Sequence, residues 1–135
     1  MASSSFKADD IYLFEELVSR EDRMIGDACR EYSQMKLEPR ALDGNQNEHF
    51  DLGIAREMGE LGLLGVTIPE EYGGPGLDQI SYGLIMQELE RCDSGLRSTA
   101  SVQSSLVMYP IWRYGSEEQK QKFLPLSFVE KSWPV

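Results

Sequence analysis

The chain has 135 residues, of which 41% are hydrophobic and 27% charged, as expected of one globular domain that buries a core without disulfides or metal. Its net charge of −10 argues against nucleic acid or an anionic membrane surface as the partner, because both attract clustered cations. No apolar run reaches the length of about 18 residues that a membrane-spanning helix needs.

Cys29, Cys92 and His49 match no zinc spacing, so we expect no metal site and two free thiols in a reducing compartment. The start, MASSSFKADD, lacks the apolar core of a secretory signal. The expected location is therefore the bacterial cytoplasm or, for a processed chain, the mitochondrial matrix.

The first strong helical pattern is SREDRMIGDACREYSQMKL. Ser19 with Asp22 three residues later is a variant of the capping box, which marks a helix start. Pro39 is expected to bend or end this helix. The helical period predicts one apolar stripe made of Met24, Ile25, Ala28, Cys29, Tyr32 and Met35.

A polar break, LDGNQNEHF, is expected to separate this helix from a second one. That second helix is predicted to start at Asp51 as N-cap and to end near Gly62. The following stretch, LLGVTIPEEYGGPGL, has the glycines and prolines of a loop and an apolar part to bury. It lacks the Lys-Ser/Thr of a phosphate-binding loop.

A third helix is predicted from Asp78 to Cys92 with two apolar arcs, the second of which contains Ile80 and Leu84 and would face a neighbour missing from this chain. A fourth helix is predicted from about Leu96 to Tyr109, ended or kinked by the next residue, a proline. A fifth begins at GSEEQKQKFL, where Ser and Gln form a capping box. The fold class is therefore all-α, an up-and-down bundle of about five helices.

One cation, Arg97, stands among small residues in RCDSGLRSTASVQSSL. On a regular helix it shares a face with Ser101, Ser104 and Met108. Ser98, Val102, Ser105 and Tyr109 lie on the adjacent face. One interpretation is a ligand wall, in which a guanidinium binds an anion. The other is a helix-packing seam in which Arg97 pairs with Glu90 or Asp93, and the spacing leaves both open.

Two longer segments of the sequence resemble a known protein family. The segment EHFDLGIAREMGELGLLGVTIPEEYGGPGL resembles the N-terminal helical domain of the acyl-CoA dehydrogenases. The segment ELERCDSGLRSTASVQSSLVMYPIWRYGSEEQKQKFLP is similar to the glutaryl-CoA dehydrogenase branch, with its D-S-G-x-R-S and Y-G-S-E-E-Q motifs. The likeness covers roughly residues 6–125.

The resemblance implies a parent enzyme that oxidises an acyl-CoA thioester with FAD and passes electrons to an electron-transfer flavoprotein, usually as a homotetramer. In the glutaryl branch it implies that Arg97 and Ser98 hold the distal carboxylate of glutaryl-CoA, with Glu90 near that end of the pocket. Many branch members then decarboxylate the product to crotonyl-CoA. Glu90 neighbours Met86 and Gly83 on its helix, which favours partial burial, and the alternative is a solvated or ion-paired acid at the surface.

The resemblance also predicts the domain organisation: 1–125 as the N-terminal helical domain and 126–135 as a divergent tail. The flavin-binding β-domain and the second helical domain, which carries the catalytic glutamate, are not expected in this chain. No catalytic or cofactor-binding residue is therefore assigned, and the isolated chain is expected to bind no FAD and to be inactive. The alternatives are a general short-chain acyl-CoA dehydrogenase fragment and a non-catalytic acidic helical interaction module.

Overall fold

The computed structural model describes residues 13–127, and within that range the regular structure is helical throughout, with no strand. The predictions for the first ten residues and for most of the tail fall on 1–12 and 128–135, outside the described residues. The α-helices are α1 (Phe14–Leu17), α2 (Arg20–Tyr32), α3 (Glu38–Asn47), α4 (Leu52–Glu60), α5 (Gln79–Cys92), α6 (Ser94–Ser101), α7 (Tyr109–Tyr114) and α8 (Glu117–Ser127).

Two π-helical segments join some of these helices end to end. Ser33–Leu37 links α2 to α3, and Val102–Met108 links α6 to α7. The joined rods run over 20–47 and 94–114, so the described chain has five longer helices, a single turn at α1 and a 3₁₀ turn at Glu70–Tyr72. This confirms the predicted all-α bundle.

Side-chain caps start the helices where the sequence places them. The hydroxyl of Ser19 accepts the Asp22 amide, and the carboxylate of Asp51 accepts the Gly53 amide. Asp78 caps α5 by accepting two amides. The predicted box at α8 is reciprocal, since Ser116 N donates to Gln119 Oε1 and Gln119 N to Ser116 Oγ. These predictions are confirmed.

Of the outcomes predicted at the two prolines, an end or a bend, the structure excludes the end at both, and for a shared reason. The helix continues past Pro39 to Asn47, through part of the predicted polar break, and the later helix continues past Pro110 to Tyr114. Each proline lies two residues beyond a π-helical segment. Because proline lacks an N–H and its ring crowds the carbonyl one turn earlier, the wider π turn relieves the conflict that would otherwise break the helix.

The α2 rod packs along α5, and α5 packs against α6. Their buried face, with α4 and the following loop, forms the main core. Its members are Cys29, Leu37, Ile54, Met58, Leu63, Leu64, Val66, Ile85, Leu89, Leu96 and Ala100. The apolar part of the loop is thus buried, as predicted.

The predicted stripe on α2 is only partly correct. Cys29 is buried and Ile25 and Tyr32 pack on the core, but Ala28 is exposed, as are Met24 and Met35 at 63% and 65%. The buried line instead follows Asp22, Gly26, Cys29, Ser33 and Leu37. Helices α2 and α5 approach closely, so small side chains of α2 such as Gly26 face α5, and Met24 does not. The π segment rotates the residues after position 33, so Met35 leaves the predicted stripe.

The second arc of α5 already has a neighbour. Leu84 lies against Gly26 of α2, where an added Cβ would meet Leu84 Cβ at 3.5 Å. Ile80 is 47% exposed. The inference that this arc faces an absent partner is therefore wrong for Leu84, since a glycine on α2 makes room for it.

A smaller core fixes α8 and the glycine-rich loop. It contains Ile68, Tyr72, Met108 and Leu124, and Tyr72 Oη donates to the carboxylate of Glu117. At Gly74 an added Cβ would lie 2.0 Å from the Ile68 carbonyl oxygen, so the loop folds back only with glycine there.

Candidate functional site

The candidate site lies where the chain turns from α5 into α6. Asp93 has extended backbone (φ −161°) and its carboxylate accepts the Leu96 amide, so it ends one helix and caps the next. The turn brings the last residues of α5 against the first turns of α6. As a result Arg97 Nε donates to Glu90 Oε2 at 2.6 Å across seven residues of chain.

Two serines extend this ion pair into a hydrogen-bonded chain. Ser94 Oγ donates to Glu90 Oε1 at 2.6 Å, and Arg97 Nη1 donates to Ser101 Oγ at 3.2 Å. Ser101 Oγ donates onward to the Ser98 carbonyl at 3.1 Å. We call Ser94, Glu90, Arg97 and Ser101 the arginine chain.

Arg97 keeps donors to spare. Only two of the five guanidinium N–H groups are bonded to groups in the described part of the protein, one on Nε and one on Nη1. Three N–H groups remain, one on Nη1 and two on Nη2, and N–H groups on two adjacent nitrogens can bind a carboxylate at two points. The Arg97 side chain is 35% exposed, so part of it is open to solvent.

Glu90 does not have the burial that the sequence suggested. Its side chain is 47% exposed, because the turn at Asp93 leaves the end of α5 at the surface. Hydrogen bonds from Ser94 and then Arg97 lower the pKa of its carboxyl group below the ordinary value of 4.5. Glu90 is therefore ionised at neutral pH and offsets the charge of Arg97.

Ser98, the second predicted carboxylate ligand, is half-buried next to Arg97. Its side chain makes no hydrogen bond to the residues described, and its carbonyl is the acceptor for Ser101. The three predicted residues are thus placed at one corner. Ser94 and Ser101 were not assigned a role from sequence. Ser101 lies four residues after Arg97 on the same helix, a spacing that places such pairs side by side, whereas Ser94 meets Glu90 only through the turn at Asp93.

The predicted face of Arg97, Ser101, Ser104 and Met108 is wrong in its second half. Ser104 and Met108 are buried, and Ser104 Oγ accepts the Gly65 amide at 2.9 Å. The π-helical segment has more residues per turn than an α-helix, so positions after 101 rotate away from the regular face.

Ser105 remains exposed, and together with Ser104 it lines a cleft of about 250 Å³. The other lining residues are Thr67, Gln79, Tyr82 and Tyr109. Ser105 Oγ donates to the Ser101 carbonyl, so this cleft adjoins the arginine chain along the same rod.

Two further arginines form ion pairs that connect helices. Arg40 donates to Asp51 at 2.6 Å and to Glu57 at 2.8 Å, joining α3 to α4. Arg30 binds both oxygens of the buried Glu88 at 3.1 Å, joining α2 to α5. Each contact, like the Arg97–Glu90 pair between α6 and α5, is made with a carboxylate of a neighbouring element and helps to join the helices. The pairing of Arg97 with Glu90 is the one expected of a helix-packing seam.

The described residues offer little else for chemistry. Both cysteines are free thiols, as predicted, and burial raises the pKa of Cys29 to about 11, which keeps it protonated. No group of three or more His, Cys, Asp or Glu side chains between residues 13 and 127 is arranged to hold a metal ion. In the same range no helix has the length and apolar character to cross a membrane.

The family model for the acyl-CoA dehydrogenase N-terminal domain matches residues 19–128. The chain belongs to this family. Among curated relatives, the mitochondrial short-chain specific acyl-CoA dehydrogenase of Bos taurus is 34% identical over 102 residues, which are 76% of this chain and 25% of the relative.

Solved structures agree with the fold. Glutaryl-CoA dehydrogenase from Mycobacterium smegmatis is 39% identical with a TM-score of 0.83, over 92% of this chain and 32% of that one. A glutaryl-CoA dehydrogenase from Mycobacterium smegmatis in complex with FADH2 has a TM-score of 0.81, over 87% of this chain and 31% of that one. A chain in the structure of the electron-transferring flavoprotein of Acidaminococcus fermentans is also 39% identical, with a TM-score of 0.76 over 80% and 28%.

The family acts on acyl-CoA, includes members that bind FAD, and is linked to electron-transferring flavoprotein. This chain spans about a quarter to a third of the length of these relatives. Its resemblance to the acyl-CoA dehydrogenases, and its likeness to glutaryl-CoA dehydrogenase among structural neighbours, are confirmed. The relatives differ in named substrate, so they establish the family and leave the acyl group open.

Proposed function

We propose that this chain forms the acyl-pocket wall of an FAD-dependent acyl-CoA dehydrogenase, and that Arg97 and Ser98 bind the distal carboxylate of glutaryl-CoA. The observation that carries the proposal is that Arg97, partly exposed and held in place at the α5–α6 corner, keeps N–H groups on Nη1 and Nη2 that bind no described residue. A fork of this shape matches the two oxygens of a carboxylate.

The chemistry of the substrate explains why a cation belongs there. An acyl chain that ends in a methyl group is best matched by an apolar pocket end, whereas a dicarboxylic chain brings a charge. A carboxylate removed from water without a partner is costly, so a pocket for glutaryl-CoA needs donors at that end. Such a site also rejects the analogue without the carboxylate, because the donors would be left unpaired.

Glu90 is expected to limit what else Arg97 attracts. Since the ion pair has no net charge, the guanidinium offers directed hydrogen bonds more than long-range attraction. Binding then depends on a carboxylate that can reach the Nη edge from the cleft beside Ser105. The proposed role of Glu90 is therefore to orient Arg97 and moderate its charge.

The remaining parts of the reaction belong to the proposal for the whole parent enzyme. The resemblance implies FAD as hydride acceptor, a catalytic glutamate that removes the α-proton, decarboxylation in many branch members, a tetramer and an electron-transfer flavoprotein partner. The rod over 94–114 also exposes Val102, Leu106 and Tyr109, with Leu106 at 69%, an apolar surface that a neighbouring domain would cover.

A short-chain acyl-CoA dehydrogenase is the second candidate, because the bovine relative carries that name. The two candidates differ in the ligand that Arg97 contacts. A monocarboxylic thioester has no charge for the guanidinium to bind, whereas glutaryl-CoA has one.

The test is a titration of the ¹⁵N-labelled 135-residue chain with glutaryl-CoA and with butyryl-CoA, observed by NMR because it detects millimolar binding. We expect the Arg97 Nε–H signal and the amides of Arg97 and Ser98 to shift with glutaryl-CoA only. Arg97→Gln should abolish the difference between ligands, and Arg113→Gln, at an exposed position on α7, should keep it. Equal shifts with both ligands, or none at Arg97, would contradict the glutaryl assignment.

A further inference from the structure

We propose that Ser94 and Ser101 are positioning residues that hold the Glu90–Arg97 pair in the orientation that receives the substrate carboxylate. This inference rests on the proposed function for its ligand. It goes beyond it by assigning roles to two serines that do not themselves contact the carboxylate.

The geometry of the arginine chain supports this role. Ser94 Oγ holds Glu90 Oε1 at 2.6 Å and leaves Oε2 for Arg97 Nε at 2.6 Å. If Ser94 did not occupy Oε1, the carboxylate could rotate and bind the guanidinium through both oxygens. That alternative would bind the Nε–Nη2 edge and turn the guanidinium, which changes the direction in which its Nη1–Nη2 edge points. Ser94 therefore fixes the orientation of this edge.

Ser101 acts at the opposite end of Arg97. Its oxygen accepts from Nη1 at 3.2 Å while its own proton is donated to the Ser98 carbonyl at 3.1 Å. The hydroxyl is thus fixed as an acceptor toward Arg97. It also connects Arg97 to the backbone of Ser98, so the two residues assigned to the carboxylate share one support.

Holding the side chain matters because Arg97 is long and partly exposed. A free arginine loses rotamer entropy when it binds a ligand, and bonds that fix it beforehand reduce that loss. Ser94, at the start of α6, holds Arg97 through Glu90 at the end of α5, and Ser101 holds it directly from one turn further along α6. Neither contact is needed to bury the core, since Ser94 is exposed and Ser101 is half-buried.

The experiment compares Ser94→Ala and Ser101→Ala in the ¹⁵N-labelled 135-residue chain. The first measurement, made without ligand, is the hydrogen-exchange rate of Arg97 Nε–H. We expect both changes to speed exchange several-fold, and Ser94→Thr and Ser101→Thr, which keep the hydroxyl, to restore it. Thr99→Ala is the control, because Thr99 Oγ1 donates only to the Gly95 carbonyl on the same helix.

The second measurement is the affinity for glutaryl-CoA and butyryl-CoA from the same titrations. Loss of one supporting hydrogen bond is expected to weaken glutaryl-CoA binding about two- to tenfold and leave butyryl-CoA binding unchanged. Backbone amide spectra that match the wild-type chain show that each variant is folded.

The two measurements separate the two claims. Unchanged exchange at Arg97 in both alanine variants would overturn the positioning role, whatever the ligand. Equal affinity of the wild-type chain for both thioesters would overturn the proposed function while leaving the exchange result standing. Faster exchange with unchanged glutaryl-CoA affinity would show that the serines order Arg97 without serving binding, and would also overturn the inference.

Discussion

At the scale of single residues, local backbone decides which side chains meet. Arg97 and Glu90 lie on different helices, and their charges meet because Asp93 ends α5 and caps α6 within one residue. At Ser104 the local backbone separates residues that were predicted to share a face. It was grouped with Arg97 by helical period, but the π turn places it in the core, where it supports the loop after α4.

Ser104 gives a stability prediction. Its hydroxyl accepts the buried Gly65 amide and donates to the Ala100 carbonyl. Ser104→Ala leaves that amide without its acceptor, so the free energy of unfolding should fall by about 1–3 kcal/mol. Ser105→Ala, at the exposed neighbouring position, should change it by less than about 0.5 kcal/mol. Urea unfolding of both variants tests this, and equal losses would show that the Ser104 bond adds nothing specific.

At the scale of elements, the α2–α5 contact is joined by a polar link as well as by the core. Asp22, in the first turn of α2, accepts from the hydroxyl groups of Ser19 and of Ser81 on α5. These bonds, chiefly those from Ser19 and then Ser81, lower the pKa of the Asp22 carboxyl group below its ordinary value of 3.8. Ionised Asp22 therefore connects the two helices.

The consequence is a defined dependence of stability on pH. An unfolded chain takes up the Asp22 proton near pH 3.8, whereas the folded chain does so only at lower pH, so acid favours the unfolded state. The stabilisation is complete above that value and is lost as pH falls through the lower folded pKa.

Asp22→Asn, which resembles the protonated side chain, tests this by urea unfolding from pH 7 to pH 2.5. The variant should be less stable at pH 7, and its difference from the wild-type chain should shrink toward zero in acid. Asp27→Asn, at a position 65% exposed, should show only a small difference throughout. A difference for Asp22→Asn that does not vary with pH would refute the assignment.

The elements also show what sequence reasoning could and could not predict. Caps at Ser19, Asp51 and Ser116 depend on neighbours within three residues, so local patterns predicted them correctly. The π segments escaped prediction because their register depends on how a following proline is accommodated inside a packed rod. The changed register buries Ser104, which was predicted to share a face with Arg97, and exposes Met35, which was predicted to lie on the apolar stripe. Glu90, Arg97 and Ser98, singled out from the sequence, lie at one corner of the fold, and their role as ligands stays a prediction; the contact of Ser94 with Glu90 needed side-chain geometry.

At the scale of the whole molecule, the described chain is a helical domain with its proposed ligand contacts at a surface corner. Arg97, the proposed carboxylate ligand, and the exposed apolar side chains of 94–114 lie on the same helical segment. In the proposed parent enzyme this rod would meet the domains that hold flavin and the catalytic base. The domain would then contribute substrate selection, while the chemistry would take place on other parts of the enzyme.

The central claim is that Arg97 selects an acyl-CoA with a distal carboxylate, and enzyme kinetics test it most directly. This chain would replace the matching segment of Mycobacterium smegmatis glutaryl-CoA dehydrogenase, and kcat/KM would be measured for glutaryl-CoA and butyryl-CoA with and without Arg97→Gln. We predict a preference for glutaryl-CoA that falls by about tenfold or more in the variant, equivalent to about 1.4 kcal/mol, with butyryl-CoA turnover changed by less than about threefold. Equal losses of kcat/KM on both thioesters would contradict the account, because they would show that Arg97 maintains the fold without binding the carboxylate.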